Sequence, residues 1–305
     1  EWCVPYQGNV QTMWINEDLF KQAGVAMPWE YDHEGDKWWD WNDFLETCKA
    51  IRALGENIYG MMLTNRFEWG YLSWVLTNGG YWVDESSGNL IASYTNPEKT
   101  EGAYHTEKVK EAFKFMVDLF CTYDVAMPFE ELEVTETTMG VNAFNAGLTG
   151  CAEATGEGAV KAGGQNAHRV CWPRSPRTKD AHTGLNNQPH QIWKGTAYPD
   201  AAWDFCKFLV GREVQWKGGA ELGCFQPSRL DIFADPGFLS DWPPVHRECY
   251  MEAVEKGGFR PMFDSFWEWT DEFHSIMEEV CSCTGMSFEE GIAELDRTTT
   301  DILSH

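Results

Sequence analysis

The sequence predicts an α/β fold. Three observations carry that expectation. Short apolar runs of strand length alternate with amphipathic helical stretches along the whole chain. Glycine or asparagine closes most helical stretches. No internal repeat and no low-complexity tract interrupts the alternation.

The elements follow in order. Val10–Ile15 is apolar enough for a strand. Asn16 caps a helix over Glu17–Ala23, with Gly24 suited to the C′ position. Residues 27–40 read as an aromatic, polar loop. Asp40 is the expected N-cap of a helix whose inner face is Phe44, Leu45, Cys48 and Ile51; Gly55 ends it. Tyr59–Leu63 resembles a buried strand, and Phe67–Leu76 a helix broken by Asn78-Gly79-Gly80. Tyr81–Ile91 reads as two short strands around a turn. Glu107–Cys121 is amphipathic, with Phe113, Met116, Val117 and Phe120 on one face. Asn142–Gly147 suggests a short helix, and Leu148–Ala154 a strand.

Farther along, Val170–Trp172 and Gln191–Trp193 read as short strands. Pro199–Val210 is an expected helix with Ala202, Phe205, Cys206 and Leu209 inward, followed by a companion over 212–222. Trp267–Val280 is helical. Ser287 and Glu290 form a capping box, and Ile292, Leu295 and Ile302 continue the inner face.

Composition narrows the function. Of the 305 residues, 43% are hydrophobic, enough for a substantial core. No apolar run reaches the roughly 20 residues of a membrane span. The net charge of −25 argues against nucleic acid, whose phosphates need a basic surface. Such a balance gives a solvated, repulsive surface, or attracts a cationic ligand. Glu1–Tyr6 has neither the basic n-region nor the apolar run of a signal peptide, and it reads as a strand entered partway along. The ten cysteines are scattered. No CxxC occurs, and Cys281-Ser282-Cys283 has no histidine spacing to complete a zinc site. Cys48 and Cys206 fall on apolar helix faces as small core residues. Sequence alone pairs none of the cysteines. The sixteen tryptophans supply core filling and, for a few of them, flat faces suited to sugar rings.

The ordered segments resemble the maltose-binding-protein-like family 1 extracellular solute-binding proteins, the sugar-binding subunits of ABC importers. The resemblance rests on Val4-Pro5-Tyr6, the run Met13–Gly24, Trp41–Leu45, Trp74–Gly80, Phe144–Gly147, Ala201–Leu209, Gly223–Arg229 and the final helix. Each motif is weak alone, but together and in order they span essentially the whole chain. The resemblance implies a periplasmic-binding-protein-like two-lobed fold (type II) with an incomplete first lobe. Residues 13–186 and 246–305 form the expected second lobe. Residues 1–12 and 190–240 are the remnant of the first, with hinge crossings at 187–189 and 241–245. It further implies a monomer that closes over a mono- or oligosaccharide and docks on membrane permease subunits. The setting would be periplasmic or extracellular, with a lipid anchor as one option.

Eight residues are candidate ligand contacts by that resemblance: Asn9, Arg66, Trp69, Gly156, Glu157, Asn186, His190 and Trp267. Asn9 lies where the chain crosses the cleft. Arg66 and Trp69 follow the strand Tyr59–Leu63. Gly156 and Glu157 follow Leu148–Ala154, at a place where many relatives carry a stacking tryptophan. Asn186 and His190 flank the expected crossing, where amides suit hydroxyl recognition and a plain turn explains the composition equally well. Trp267 is expected to face the cleft, with Trp269 packed inward. No cofactor and no metal is implied. No GxSxG, HExxH, Walker A or GxGxxG precedes a suitable element. Two alternatives stay open: a polyamine or other cationic ligand in the same superfamily, and a secreted glycoside hydrolase, for which carboxylates such as Glu130, Glu131 and Glu133 are plentiful but unplaced.

Overall fold

A computed structural model of the chain describes all residues except 1–2, 32–37, 66, 84–100, 132–141, 155–165, 223–224, 239–251, 260–262, 264 and 305. Two four-stranded sheets organise it.

The first sheet contains β1 (Val4–Val10), β6 (Gly184–His190), β7 (Gln226–Pro227) and β8 (Gly258–Phe259), in the order β7-β1-β6-β8. The second contains β2 (Thr12–Asn16), β3 (Tyr59–Met62), β4 (Thr149–Ala154) and β5 (Ala167–Val170), in the order β3-β4-β2-β5. The apolar run expected as one strand over Val10–Ile15 is therefore divided. The chain leaves the first sheet at Val10, turns through Gln11, and enters the second at Thr12.

Helices cover the second sheet on both faces, and each begins as its sequence dictates. In α1 (Glu17–Ala23), the Asn16 side chain accepts from the amides of Asp18 and Leu19, and Gly24 closes the helix at φ 66°. In α2 (Trp41–Arg52), Asp40 and Asp43 form a reciprocal capping box, and Phe44, Cys48 and Ile51 are fully buried. The expected helix over Phe67–Leu76 opens as a π-helical turn, Phe67–Tyr71, before α3 (Leu72–Thr77). Its companions are α4 (Glu107–Cys121), the short α5 (Asn142–Asn145), α9 (Phe266–Cys281) and α10 (Phe288–Leu303, capped by Ser287). They enclose one large core, in which Phe67, Tyr71, Phe113, Trp269 and Phe273 meet ring against ring. The Cys121–Cys283 disulfide ties the end of α4 to the turn after α9. Cys48 and Cys206 are buried free thiols, as their helix faces predict.

The first sheet carries much less. Between β6 and β7 lie α6 (Pro199–Leu209), α7 (Arg212–Gln215) and a π-helical turn, Trp216–Glu221; α8 (Leu230–Phe233) follows β7. Among the described residues its core is Val10, Ile232, Phe233 and Phe238, with Leu185, Trp216, Ala253 and Val254 packed around them.

Several expectations need correction. Gln191–Trp193 is not a strand, because pairing with β1 ends at His190 opposite Val4. The short strand expected over Val170–Trp172 lies earlier, at Ala167–Val170, where β2 offers it partners. Phe205 is not inward but 60% exposed, since nothing described packs on that side of α6. The two strands expected within Tyr81–Ile91 lie largely outside the described residues.

Candidate functional site

Among the described residues the chain passes between the two sheets at two neighbouring places, and their contacts with each other and with a third segment define a seam. The first passage is Val10–Gln11–Thr12 and the second is Thr183–Gly184. A third segment, Lys256–Gly258, leads from a helical turn over 252–256, whose Ala253 and Val254 pack on the first sheet's core, into β8 of that sheet. The Gln11 amide donates to the Gly184 carbonyl, and the Gly258 amide to that of Thr183. Buried side chains stitch the two passages to α3. Ser73 Oγ donates to Gln11 Oε1 at 2.6 Å and accepts from the Gly184 amide at 3.0 Å, while Thr183 Oγ1 donates to the Gln11 carbonyl at 2.5 Å. Buried polar groups satisfied in this way hold one arrangement of the passages.

The Lys256–Gly258 segment is packed through glycine. A Cβ on Gly257 would fall 2.2–2.6 Å from Cγ, Cδ1 and Cδ2 of Leu185. An ionic cluster flanks it. Lys256 Nζ lies 2.5 Å from Asp180 and 2.8 Å from Glu252, and Arg174 lies 3.5 Å from Glu252. Burial opposes ionisation of Asp180, yet the hydrogen bond from Lys256 prevails and holds its carboxyl below the usual range.

The seam gathers some sequence candidates and separates others. Asn9 and Asn186 are direct register partners in the β1/β6 ladder, one rung from the Val10–Leu185 pair at the passage. The side chains of both, and that of Trp69, lie outside the described set. Arg66, Gly156 and Glu157 are outside it altogether. Their flanking strands nevertheless end at the seam: Ala154, the last residue of β4, pairs with Thr12, and Met62 of the parallel β3 pairs with Ala152. His190 sits at the opposite end of β6, paired with Val4, its ring 4.3 Å from Tyr6. It is not brought beside Asn9 and Asn186. Trp267, at the start of α9, is 62% exposed, whereas Trp269 is buried and donates from Nε1 to Thr299 Oγ1 at 2.9 Å. The inside–outside division of this pair follows the helical spacing.

Sequence reasoning missed Gln11, Ser73, Thr183 and Glu153. Glu153 is the one charge in the strand Leu148–Ala154, a signal that was there to be used. It is 3% exposed on β4, and burial pushes its carboxyl well above the ordinary carboxylate range.

A groove of about 870 Å³ lies elsewhere, among the ends of α2 and α3 and the faces of α4 and α10. Its cations are paired: Arg177 with Glu111 and Glu107, Lys110 with Glu289, and Lys114 with Asp118. No residue of the first sheet lines it. Among the described residues no cluster of His, Cys, Asp and Glu suits a metal ion, and no helix is long and apolar enough to cross a membrane.

Two sheets joined around a polar seam is an arrangement for holding a solute between lobes. The comparisons agree with that class. Residues 2–216 match the model of the bacterial extracellular solute-binding protein family. Solved structures extend the likeness over nearly the whole chain. The substrate-binding protein Lmo0181 of Listeria monocytogenes, in complex with cycloalternan, superposes with a TM-score of 0.79 at 16% identity, over 99% of this chain and 71% of its own. Maltose-bound MalE3 of T. maritima gives 0.75 at 18% identity, over 98% and 72%. A solute-binding protein of Thermotoga lettingae bound to α-D-tagatose gives 0.73 at 16% identity, over 99% and 72%. The chain belongs to the bacterial extracellular solute-binding protein family, the non-catalytic solute-capturing components of ABC transporters. The glycoside hydrolase alternative is thereby set aside.

Proposed function

We propose that the protein captures a mono- or oligosaccharide at the seam by closure of its lobes and presents the closed form to an ABC permease. The observation that carries this reading is the placement of the Asn9–Asn186 register pair one rung from the passage between the sheets. Amides at such a position suit sugar hydroxyls, each offering both donors and an acceptor. Trp267 adds an exposed aromatic face at the start of α9. Arg66, Trp69, Gly156 and Glu157 belong to the proposed contact set through the strand ends they follow, and His190 is its outlying member. The carbohydrate-bound relatives support the ligand class, and the setting proposed is the periplasm or the cell exterior, with a lipid anchor as one form of attachment. A cationic ligand such as a polyamine is the second reading, favoured by the net charge of −25.

Intrinsic tryptophan fluorescence, titrated with maltose, maltotriose, tagatose, putrescine and spermidine, tests the proposal. A saturable shift with a sugar, unchanged between 50 and 500 mM NaCl as ~8–10 Å screening lengths at moderate salt imply for uncharged ligands, supports it. A shift confined to the polyamines and lost in salt replaces it with the cationic reading.

A further inference from the structure

One face of α4 meets solvent along three turns, and the groove described above runs beside it. Glu107, Lys110, Glu111, Lys114, Phe115 and Asp118 line that groove. They stand at i, i+3, i+4, i+7, i+8 and i+11, a single stripe about 16 Å long at ~1.5 Å per residue. The row Glu107–Glu111–Phe115 faces the turn at Pro176–Arg177 and Trp41. The row Lys110–Lys114–Asp118 faces Phe288 and Glu289 at the start of α10. The volume of about 870 Å³ falls within the roughly 300–1,000 Å³ usual for ligand sites.

The floor is aromatic. Phe115 and Trp41 are stacked, with ring centroids 4.6 Å apart and planes at 20°. Phe288 adds a half-buried ring, with Lys114 Nζ 5.9 Å from its centre. The walls are ionic and already compensated. Arg177 donates to Glu111 from Nε at 2.7 Å and from Nη2 at 2.5 Å, and reaches Glu107 at 3.1 Å. Lys110 pairs with Glu289 at 2.5 Å, and Lys114 with Asp118. The turn is held as well, since Ser175 Oγ donates to Asn78 Oδ1 at 2.6 Å and accepts from the Arg177 amide at 3.0 Å. Ties of this kind fix the shape of the groove before a ligand arrives, which lowers the ordering cost of binding.

This combination selects the ligand. With four carboxylates against three cations, all engaged in pairs, the walls offer little field to a free anion or cation. A pyranose ring is amphipathic, with apolar C–H faces and a rim of hydroxyls. Its face suits the rings of Phe115 and Phe288. Its hydroxyls suit the walls, donating to carboxylate lone pairs and accepting from the ammonium groups of Lys110 and Lys114. The length of the stripe spans several such rings in line. We propose that the groove along α4 is a second carbohydrate site, which takes several linked rings of a neutral polysaccharide. No residue of the first sheet lines it, so the site stands whichever solute the seam takes.

Native electrophoresis of the gene product through gels cast with soluble starch, xylan or galactomannan tests the proposal, beside a blank gel and a non-binding reference protein. At least one polymer is expected to slow the native protein roughly twofold or more, as a polymer concentration near Kd does. The Asn9→Ala/Asn186→Ala variant should be slowed equally, so failure of the seam reading leaves this comparison intact. Phe288→Ala, which opens the floor, and Arg177→Ala, which removes a wall, should each migrate as in the blank gel while melting as the native protein does. If one of the two fails to fold, the other carries the test. Unretarded migration of the native protein in all three polymers overturns the proposal, as does retardation that a folded groove variant retains in full. Retardation lost in the Asn9→Ala/Asn186→Ala variant also overturns it and assigns the polymer to the seam.

Discussion

Trp74 donates from Nε1 to Oε1 of Glu153 across 2.7 Å, with the ring on α3 and the carboxyl on β4. Oε2 of the same carboxyl is buried with no hydrogen-bond partner among the described residues. A carboxylate there would leave charge in an apolar interior, so the neutral acid is the form the fold accepts.

The pH dependence follows from that relationship. The folded-state pKa of Glu153 is raised by burial above its reference value of 4.5. Its contribution is therefore fully present below the unfolded pKa and is lost as pH rises through the folded one. Glu153→Gln keeps an acceptor for Trp74 and removes the titration. Thermal melts from pH 4.5 to 8 are expected to show the variant gaining on the native protein as pH rises; parallel curves would contradict the assignment.

The Cys121–Cys283 bond closes a sequence separation of 162 residues between α4 and the turn after α9. Cross-links over long loops restrict the unfolded chain most, and losing one costs about 2–4 kcal/mol. The Cys121→Ser/Cys283→Ser variant is expected to lower the urea midpoint accordingly. Cys171 is also disulfide-bonded, so reduction of the native protein should lower the midpoint at least as far as the double variant does.

In the Lys256–Gly258 segment, Gly257→Ala places a methyl group against Leu185. The expected loss is about 1–3 kcal/mol, the usual range for overpacking. Adding Leu185→Ala should recover part of it, so that the double variant loses less than the sum of the singles in a denaturation cycle. Strict additivity would show that the two residues do not meet.

How legible all this was in the sequence depends on the distance over which each feature is decided. The caps at Asn16, Asp40 and Ser287 are local hydrogen-bonding chemistry, and the structure has each of them. The inner faces of α2 and α4 follow from spacing alone. The passage at Gln11 was not legible, because β1 and β2 read as nearly continuous extended chain and their partners lie more than a hundred residues away. Phe205 shows the converse: periodicity placed it inward, but it is exposed, because burial depends on what is there to cover it. In the candidate site, Asn9 and Asn186 were chosen separately, and only the β1/β6 register places them opposite each other. The buried Ser73–Gln11–Thr183 network has no local signature at all.

Trp267 offers a separation of binding from stability. At 62% exposure its removal should change stability by no more than about 0.5 kcal/mol. Stacking of a sugar on its face contributes about 1 kcal/mol, so Trp267→Ala is expected to weaken sugar binding roughly fivefold to tenfold. Unchanged affinity would remove Trp267 from the contact set.

The most direct test of capture at the seam is isothermal titration calorimetry with maltotriose, comparing the native gene product with its Asn9→Ala/Asn186→Ala variant. Saturable one-to-one heat from the native protein, weakened at least tenfold in a variant that melts as the native protein does, is the result this account predicts. Equal affinity in the two proteins, or no heat from a panel of sugars that includes maltotriose, would contradict it.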